Sequence, residues 1–351
     1  MATLKNLVDE TTNIKNELKT CHTNLKNNLA EKGINVLSSD KLDVLIEKVK
    51  KTQYFKWWDS LPVWYSTQLS NTDIWITCGN MTTARSDLTT SVVNNKIYAI
   101  GGVSNEGSYL TDNECYDHTI NKWSAMKAMT TARTNLTSSV VDNKIYAIGG
   151  NNGSANLSNN ECYDPVTNTW TTKKAMTTAR TGLTSSVVDN KIYTIGGLSS
   201  GDFTINQCYN PSDNTWSAMK AMTTARYYLT SSVVDNKIYV IGGYTNKNAL
   251  ATNECYDPVT NTWSTKANMT TARYSLTSSA IKNKIYCIGG YSTKYDIKNE
   301  CYDTITNTWT TVKDMNYKTL GLESSVINDS IYCIGGHNGN TSSSRNECYI
   351  P

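Results

Sequence analysis

Six methionines (Met81, Met129, Met176, Met222, Met269 and Met315) stand 46 to 48 residues apart, and each opens a similar stretch of sequence. A repeat of this period constrains the fold strongly, because each copy is one supersecondary unit too small to bury its own apolar face. A typical unit reads MTTARTGLTSSVVDNKIYTIGG, then a variable stretch, then a variant of NECYDPVTNTW. LTSSVV and KIYTIGG are β-rich runs joined by an Asp-Asn pair of the kind that makes a tight hairpin. ECYDP and TW supply two further strands around the turn P-V-T-N. Four antiparallel strands per unit make one propeller blade, so six units predict six blades.

Spacing also predicts how the ring closes. Trp123 lies six residues before Met129 and Trp309 six before Met315, but the last unit ends at Cys348, Tyr349, Ile350 and Pro351 without its tryptophan. Trp75, six residues before Met81, takes that place. Asp73–Thr77 is therefore expected to be the outer strand of the final blade, leaving no open sheet edge.

The double glycines (Gly101-Gly102 through Gly335-Gly336) are followed by Tyr and Trp seven residues apart, as in Tyr116 and Trp123 or Tyr302 and Trp309. This pattern closely resembles the kelch repeat, and the resemblance covers about residues 71–351. It implies an all-β, six-bladed kelch propeller closed by an N-terminal strand and preceded by a small helical stem. Some kelch-like propellers are copper radical oxidases, which need two histidines and a Tyr–Cys pair around one metal. This chain has only His22, His118 and His337. The last two fall on opposite faces of the disc and are expected to be solvated loop residues. Other kelch propellers isomerise sialic acids but are exported. No phosphate loop, H-E-x-x-H or G-x-S-x-G occurs. A sugar isomerase or oxidase is thus a remote alternative; no enzymatic activity and no cofactor or metal are expected.

Residues 1–70 share nothing with the repeats. Leu4, Leu7, Thr11, Ile14, Leu18, Cys21 and Leu25 follow heptad spacing, which reads as a coiled coil that self-associates or as an amphipathic helix packed on its own chain. A second helix carries Leu42, Leu45, Ile46 and Val49. The expected divisions are a stem over 1–52, an aromatic linker over 53–70 and the propeller over 71–351. The stretch NELKTCHTNLKNNLAEKGINVLSSDKLDVLIEKV resembles a helical module of bacteriophage tail structural proteins. That resemblance implies a virion or tail-associated homo-oligomer whose stem meets other virion proteins and whose propeller meets a host surface glycan or protein. The alternative is a cytoplasmic scaffold or adaptor holding a protein partner.

Charge does not favour other partners. A formal charge of +3, with Lys and Arg spread without a basic run, points away from nucleic acid. No window approaches a membrane span, and the charged N-terminus lacks a signal-peptide core. Six of the ten cysteines (Cys115, Cys162, Cys208, Cys255, Cys301 and Cys348) recur once per unit. Equivalent positions around a ring are too far apart to pair, so buried, reduced thiols are expected.

The units themselves locate a site. Their hairpin turns barely change, whereas the stretch after Gly-Gly and the two residues after T-T-A-R vary freely. Antiparallel connectivity puts both variable segments on one face. A constant scaffold with one diversified face describes a recognition surface, although long surface loops also drift without selection. Tyr227, Tyr228, Tyr244, Tyr274 and Tyr291 cluster in consecutive units on that face and are the candidate anchors for a sugar or a protein. Arg85, Arg133, Arg180, Arg226 and Arg273 recur nearby, with Thr319 in the sixth unit. They either pair with Glu114, Glu161, Gln207, Glu254, Glu300 and Glu347 as architecture or, as in kelch propellers generally, line a ligand site and receive an acidic group.

Overall fold

The computed structural model describes residues 73–199, 203–245, 247–294 and 298–351. The stem, its coiled coil, the aromatic linker and His22 lie outside the described residues.

Six four-stranded antiparallel sheets form six blades, with no helix among the described residues. In blade 1 the strands run Thr89–Val93, Lys96–Ile100, Asn113–Asp117 and Lys122–Ala125, from the axis outwards. The inner hairpin turns at Asn94-Asn95, both at positive φ (50° and 57°), which is the conformation a two-residue turn needs and which Asn tolerates. Gly101 and Gly102 end the second strand at φ 67° and 102°. A Cβ on Gly101 would stand 2.7 Å from the Arg133 carbonyl of the next blade, so neighbouring blades pack this closely only through glycine.

The core lies between blades. Ile97, Ala99 and Tyr116 of blade 1 pack with Tyr332, Ile334 and Cys348 of blade 6, and the same grouping repeats at other interfaces. The nine described cysteines are free and buried, as the spacing predicts.

The last blade is closed as expected. Ile74–Thr77 pairs antiparallel with Asn346–Ile350, in register Trp75↔Tyr349. The tryptophan reproduces the contacts of its counterparts. In blade 1 the Tyr116 and Trp123 rings lie 5.1 Å apart and the Trp123 Nε1–H donates to the Gly79 carbonyl at 2.7 Å. Trp75 lies 5.0 Å from Tyr349 and donates to the Lys313 carbonyl at 3.2 Å. Asp73 stands beyond the strand's end and does what Asn121 does in blade 1: its carboxylate accepts the Tyr349 hydroxyl and, at 3.0 Å, the Lys313 N–H.

Candidate ligand-binding face

Both variable segments meet on one face. The residue after each arginine bridges the residue after the following Gly-Gly: Ser86↔Val103, Thr134↔Asn151, Thr181↔Leu198, Tyr227↔Tyr244 and Tyr274↔Tyr291. Four of the five predicted tyrosines are therefore two bridged pairs. Their rings form one continuous patch: Tyr227 lies 4.9 Å from Tyr228 and 5.7 Å from Tyr244, Tyr244 lies 4.9 Å from Tyr274, and Tyr274 lies 5.4 Å from Tyr291. Phe203, which the sequence did not single out, extends the patch by an edge contact of 5.6 Å to Tyr227. All six rings except Phe203 remain partly exposed.

The arginines lie elsewhere. Arg85, Arg133, Arg180, Arg226 and Arg273 have no exposed surface. In blade 1 the Arg85 guanidinium donates to the carbonyls of Gly101 and Asp112, at 3.3 and 3.2 Å, and to Glu114 at 2.7 Å. The other oxygen of Glu114 accepts the backbone N–H and hydroxyl of Thr82, at 2.8 and 2.5 Å. Arg133 with Glu161, Arg226 with Glu254 and Arg273 with Glu300 repeat the clamp. Burial pulls the Arg133 guanidinium down to about 10, against the attraction of Glu161. Fully buried and committed to carbonyls and carboxylates, these side chains do the architectural work of the two roles the sequence left open; they are not on the face to receive an acidic group.

The second variable residue of each unit forms the rim of the channel mouth. Asp87, Asn135, Gly182, Tyr228, Ser275 and Gly321 all have positive φ, from 50° to 62°. Each donates its N–H to the carbonyl of the preceding one, closing a ring: Asp87 to Gly321 at 2.7 Å, Asn135 to Asp87 at 2.8 Å, Gly182 to Asn135 at 2.9 Å, Tyr228 to Gly182 at 2.8 Å, Ser275 to Tyr228 at 2.9 Å and Gly321 to Ser275 at 3.0 Å. This ring rims a recess of about 390 Å³, counted with its open mouth, with Glu323 inside it. Because residues of all six blades encircle it, the recess sits on the propeller axis. Two rim glycines make room for the side chains of the following blade. A Cβ on Gly182 would meet the Tyr228 ring at 2.8 Å, and one on Gly321 would meet the Asp87 carboxylate at 2.4 Å.

Desolvation in the recess pushes Asp87 up to about 6 and Glu323 up to about 8. Glu323 occupies the position held by Thr89, Thr137, Thr184, Thr230 and Thr277 in the other blades. Those threonines bond a serine hydroxyl of the next blade, as Thr89 does Ser138 at 2.8 Å. Sequence comparison of the units passed over Glu323, although its departure from threonine was a readable signal.

His118 is buried, with Nδ1 3.0 Å from the Asn95 carbonyl, and so corrects the expectation of a solvated loop residue. It sits under the constant face, where the hairpin carbonyl gives it a partner. His337 is partly exposed on the variable side, and its Nδ1 accepts the Gly339 N–H at 3.0 Å. Among the described residues no three His, Cys, Asp or Glu side chains converge as metal ligands.

The family model of the Attractin/LZTR1 β-propeller matches residues 97–346. Among solved structures, that of YjhT superposes with a TM-score of 0.68 at 16% identity, covering 77% of this chain and 96% of that one; at this identity the likeness is one of fold. No curated protein matches the chain. With six kelch-type blades and a family match across most of its length, the chain belongs to the Attractin/LZTR1 β-propeller family.

Proposed function

We propose that this propeller is a non-catalytic recognition module that captures a host surface glycan or protein on its diversified face, as a tail- or virion-associated component. The observation that supports it is the continuous aromatic patch of Tyr227, Tyr228, Tyr244, Tyr274 and Tyr291 on a face whose loops differ from blade to blade. Clustered, partly exposed tyrosines bring a large contact area at low entropic cost, stack on sugar rings and anchor protein partners. The scaffold beneath them is uniform, as a platform for varied loops requires. The virion setting rests on the N-terminal resemblance alone.

The test is the double variant Tyr227→Ala with Tyr274→Ala, assayed against a glycan array and against host surface protein. Loss of two central anchors should weaken binding at least thirtyfold, about 2 kcal/mol, with an unchanged melting temperature. Unaltered affinity would dismiss the patch as the binding surface.

A further inference from the structure

We infer that the axial recess is a binding site for a primary ammonium group, carried by a lysine side chain of a protein partner seated on the tyrosine patch. The recess stands on its own geometry; the seating of the partner rests on the function proposed above.

Charge is the first argument. Asp87 and Glu323 share the recess, each senses the other or the desolvation around it, and no cationic side chain contributes to either environment among the described residues. The Asp87 carboxylate accepts the Ser86 hydroxyl at 3.1 Å, and Glu323 accepts the Ser324 backbone N–H and, at a long 3.4 Å, the Thr277 hydroxyl; none of these donors carries a charge. In the blades that keep the clamp intact, its buried carboxylate is answered by an arginine and by strong donors, as Glu114 is. Five blades show that threonine satisfies the channel position of Glu323, so the fold itself does not call for a carboxylate there.

The second argument is the wall. Tyr228 lines the recess beside the two carboxylates and also touches the patch, 4.9 Å from Tyr227 and 6.3 Å from Tyr274. It holds a positive φ of 54°, rare for a bulky residue, with Gly182 vacated beneath its ring. An aromatic face beside two carboxylates favours an organic cation, and a path from the patch to the recess runs along one side chain.

Depth selects the kind of cation. Glu323 lies two residues along the inner strand from the rim residue Gly321, about 7 Å further into the channel at strand rise. A compact ammonium on an unbranched four-carbon stem spans that distance. The amine of an amino sugar is attached directly to a six-membered ring and has no stem to carry it to that depth. A planar guanidinium is broader than an ammonium, and a divalent metal would want more oxygen ligands than two carboxylates provide.

The probe is n-butylamine, titrated calorimetrically into the full chain beside 1-butanol, glucosamine and magnesium. Saturable binding of butylamine but not butanol is expected. Asp87→Asn with Glu323→Thr, residues that other blades use at the same places, should weaken it at least tenfold. Tyr227→Ala with Tyr274→Ala should leave butylamine affinity within threefold, so a failure of the patch and a failure of the recess are told apart. If the recess double variant does not fold, the native chain serves. Its butylamine affinity should fall at least tenfold between pH 9 and pH 5 as Glu323 and Asp87 take up protons; burial pushes the neighbouring Tyr228 hydroxyl up to about 12, so it keeps its proton over this range. Equal binding of butanol, an unaffected recess variant or a pH-independent affinity would overturn the site. Tighter binding of glucosamine or displacement by magnesium would overturn the assignment to a lysine.

Discussion

Blades 3 and 6 depart from the same clamp in opposite directions. Blade 3 keeps the arginine and loses the acid: Arg180 is fully buried and faces Gln207. Its guanidinium is carried by the carbonyls of Gly196 and Ile205, at 2.6 and 3.3 Å, by the Thr194 hydroxyl at 2.8 Å and by the Gln207 amide oxygen at 3.0 Å. Burial alone draws it down to about 10. Blade 6 keeps the acid and loses the arginine, with Thr319 in its place and Asn316 where blade 1 has Thr82. Glu347 stays buried with one oxygen lacking any partner. Arg345, the residue just before the same strand, comes only to 3.6 Å while lying over the Tyr317 ring at 4.6 Å. A positive half without its acid finds carbonyls pointing the right way, because strand ends supply them. A negative half without its arginine has lost its donors as well, and burial dominates. Blade 6 compensates in backbone: its inner strands lengthen to eight residues, from the five of blade 1, pairing as far as Leu320↔His337.

The comparison makes blade 6 the seam, and the largest expected effect is there. Deleting Asp73–Thr77 removes the strand paired with Asn346–Ile350, the Trp75 contacts and the Asp73 clamp on Tyr349. The melting temperature should fall by more than 10 °C, as several kcal/mol are lost from a domain of this size; an unchanged transition would show that the seam closes without it. Next in size is the contrast between clamps. Arg226→Leu strands Glu254 as a buried carboxylate and should cost about 3–5 kcal/mol in urea denaturation. Arg180→Leu leaves a neutral amide and several carbonyls and should cost about 1–3 kcal/mol. Equal losses would mean that the charge pairing contributes nothing beyond hydrogen bonding.

Much of this is legible in the sequence. The blade count, the closing strand and the gathering of the five tyrosines follow from period, spacing and antiparallel connectivity, which are local or repeated signals. The sequence stated the arginine–glutamate pairing but left it beside a ligand role, because a residue repeated in five units looks the same whether buried or exposed. The axial recess was not legible. Asp87, Tyr228 and Glu323 belong to three different blades and meet only because a ring brings equivalent positions to one axis. The burial of His118 is not legible in the sequence, because a histidine after a strand reads as a loop residue and the Asn95 carbonyl that receives it belongs to another turn.

The smallest effect bears on the acid half alone. Burial raises Glu347 above its usual 4.5, opposed by the attraction of Arg345. The other ionisable groups against it are Cys78, Cys333 and Tyr317; burial raises the Cys333 thiol and the Tyr317 hydroxyl, and a hydrogen bond with Cys348 lowers the Cys78 thiol. A carboxyl with a raised folded-state pKa holds its proton better folded than unfolded. Its contribution to stability is therefore full below the unfolded value and is lost as the pH climbs through the folded one. Glu347→Gln cannot ionise, so its stability should decline less steeply than that of the native chain between pH 5 and pH 8. The difference between the two proteins should open as the pH rises, the sign set by the burial of Glu347. Glu323 and Asp87 titrate identically in both proteins and cancel in the difference. Parallel curves would mean that Arg345, from its stacked position over Tyr317, already neutralises the acid as fully as the buried arginines do in the other blades.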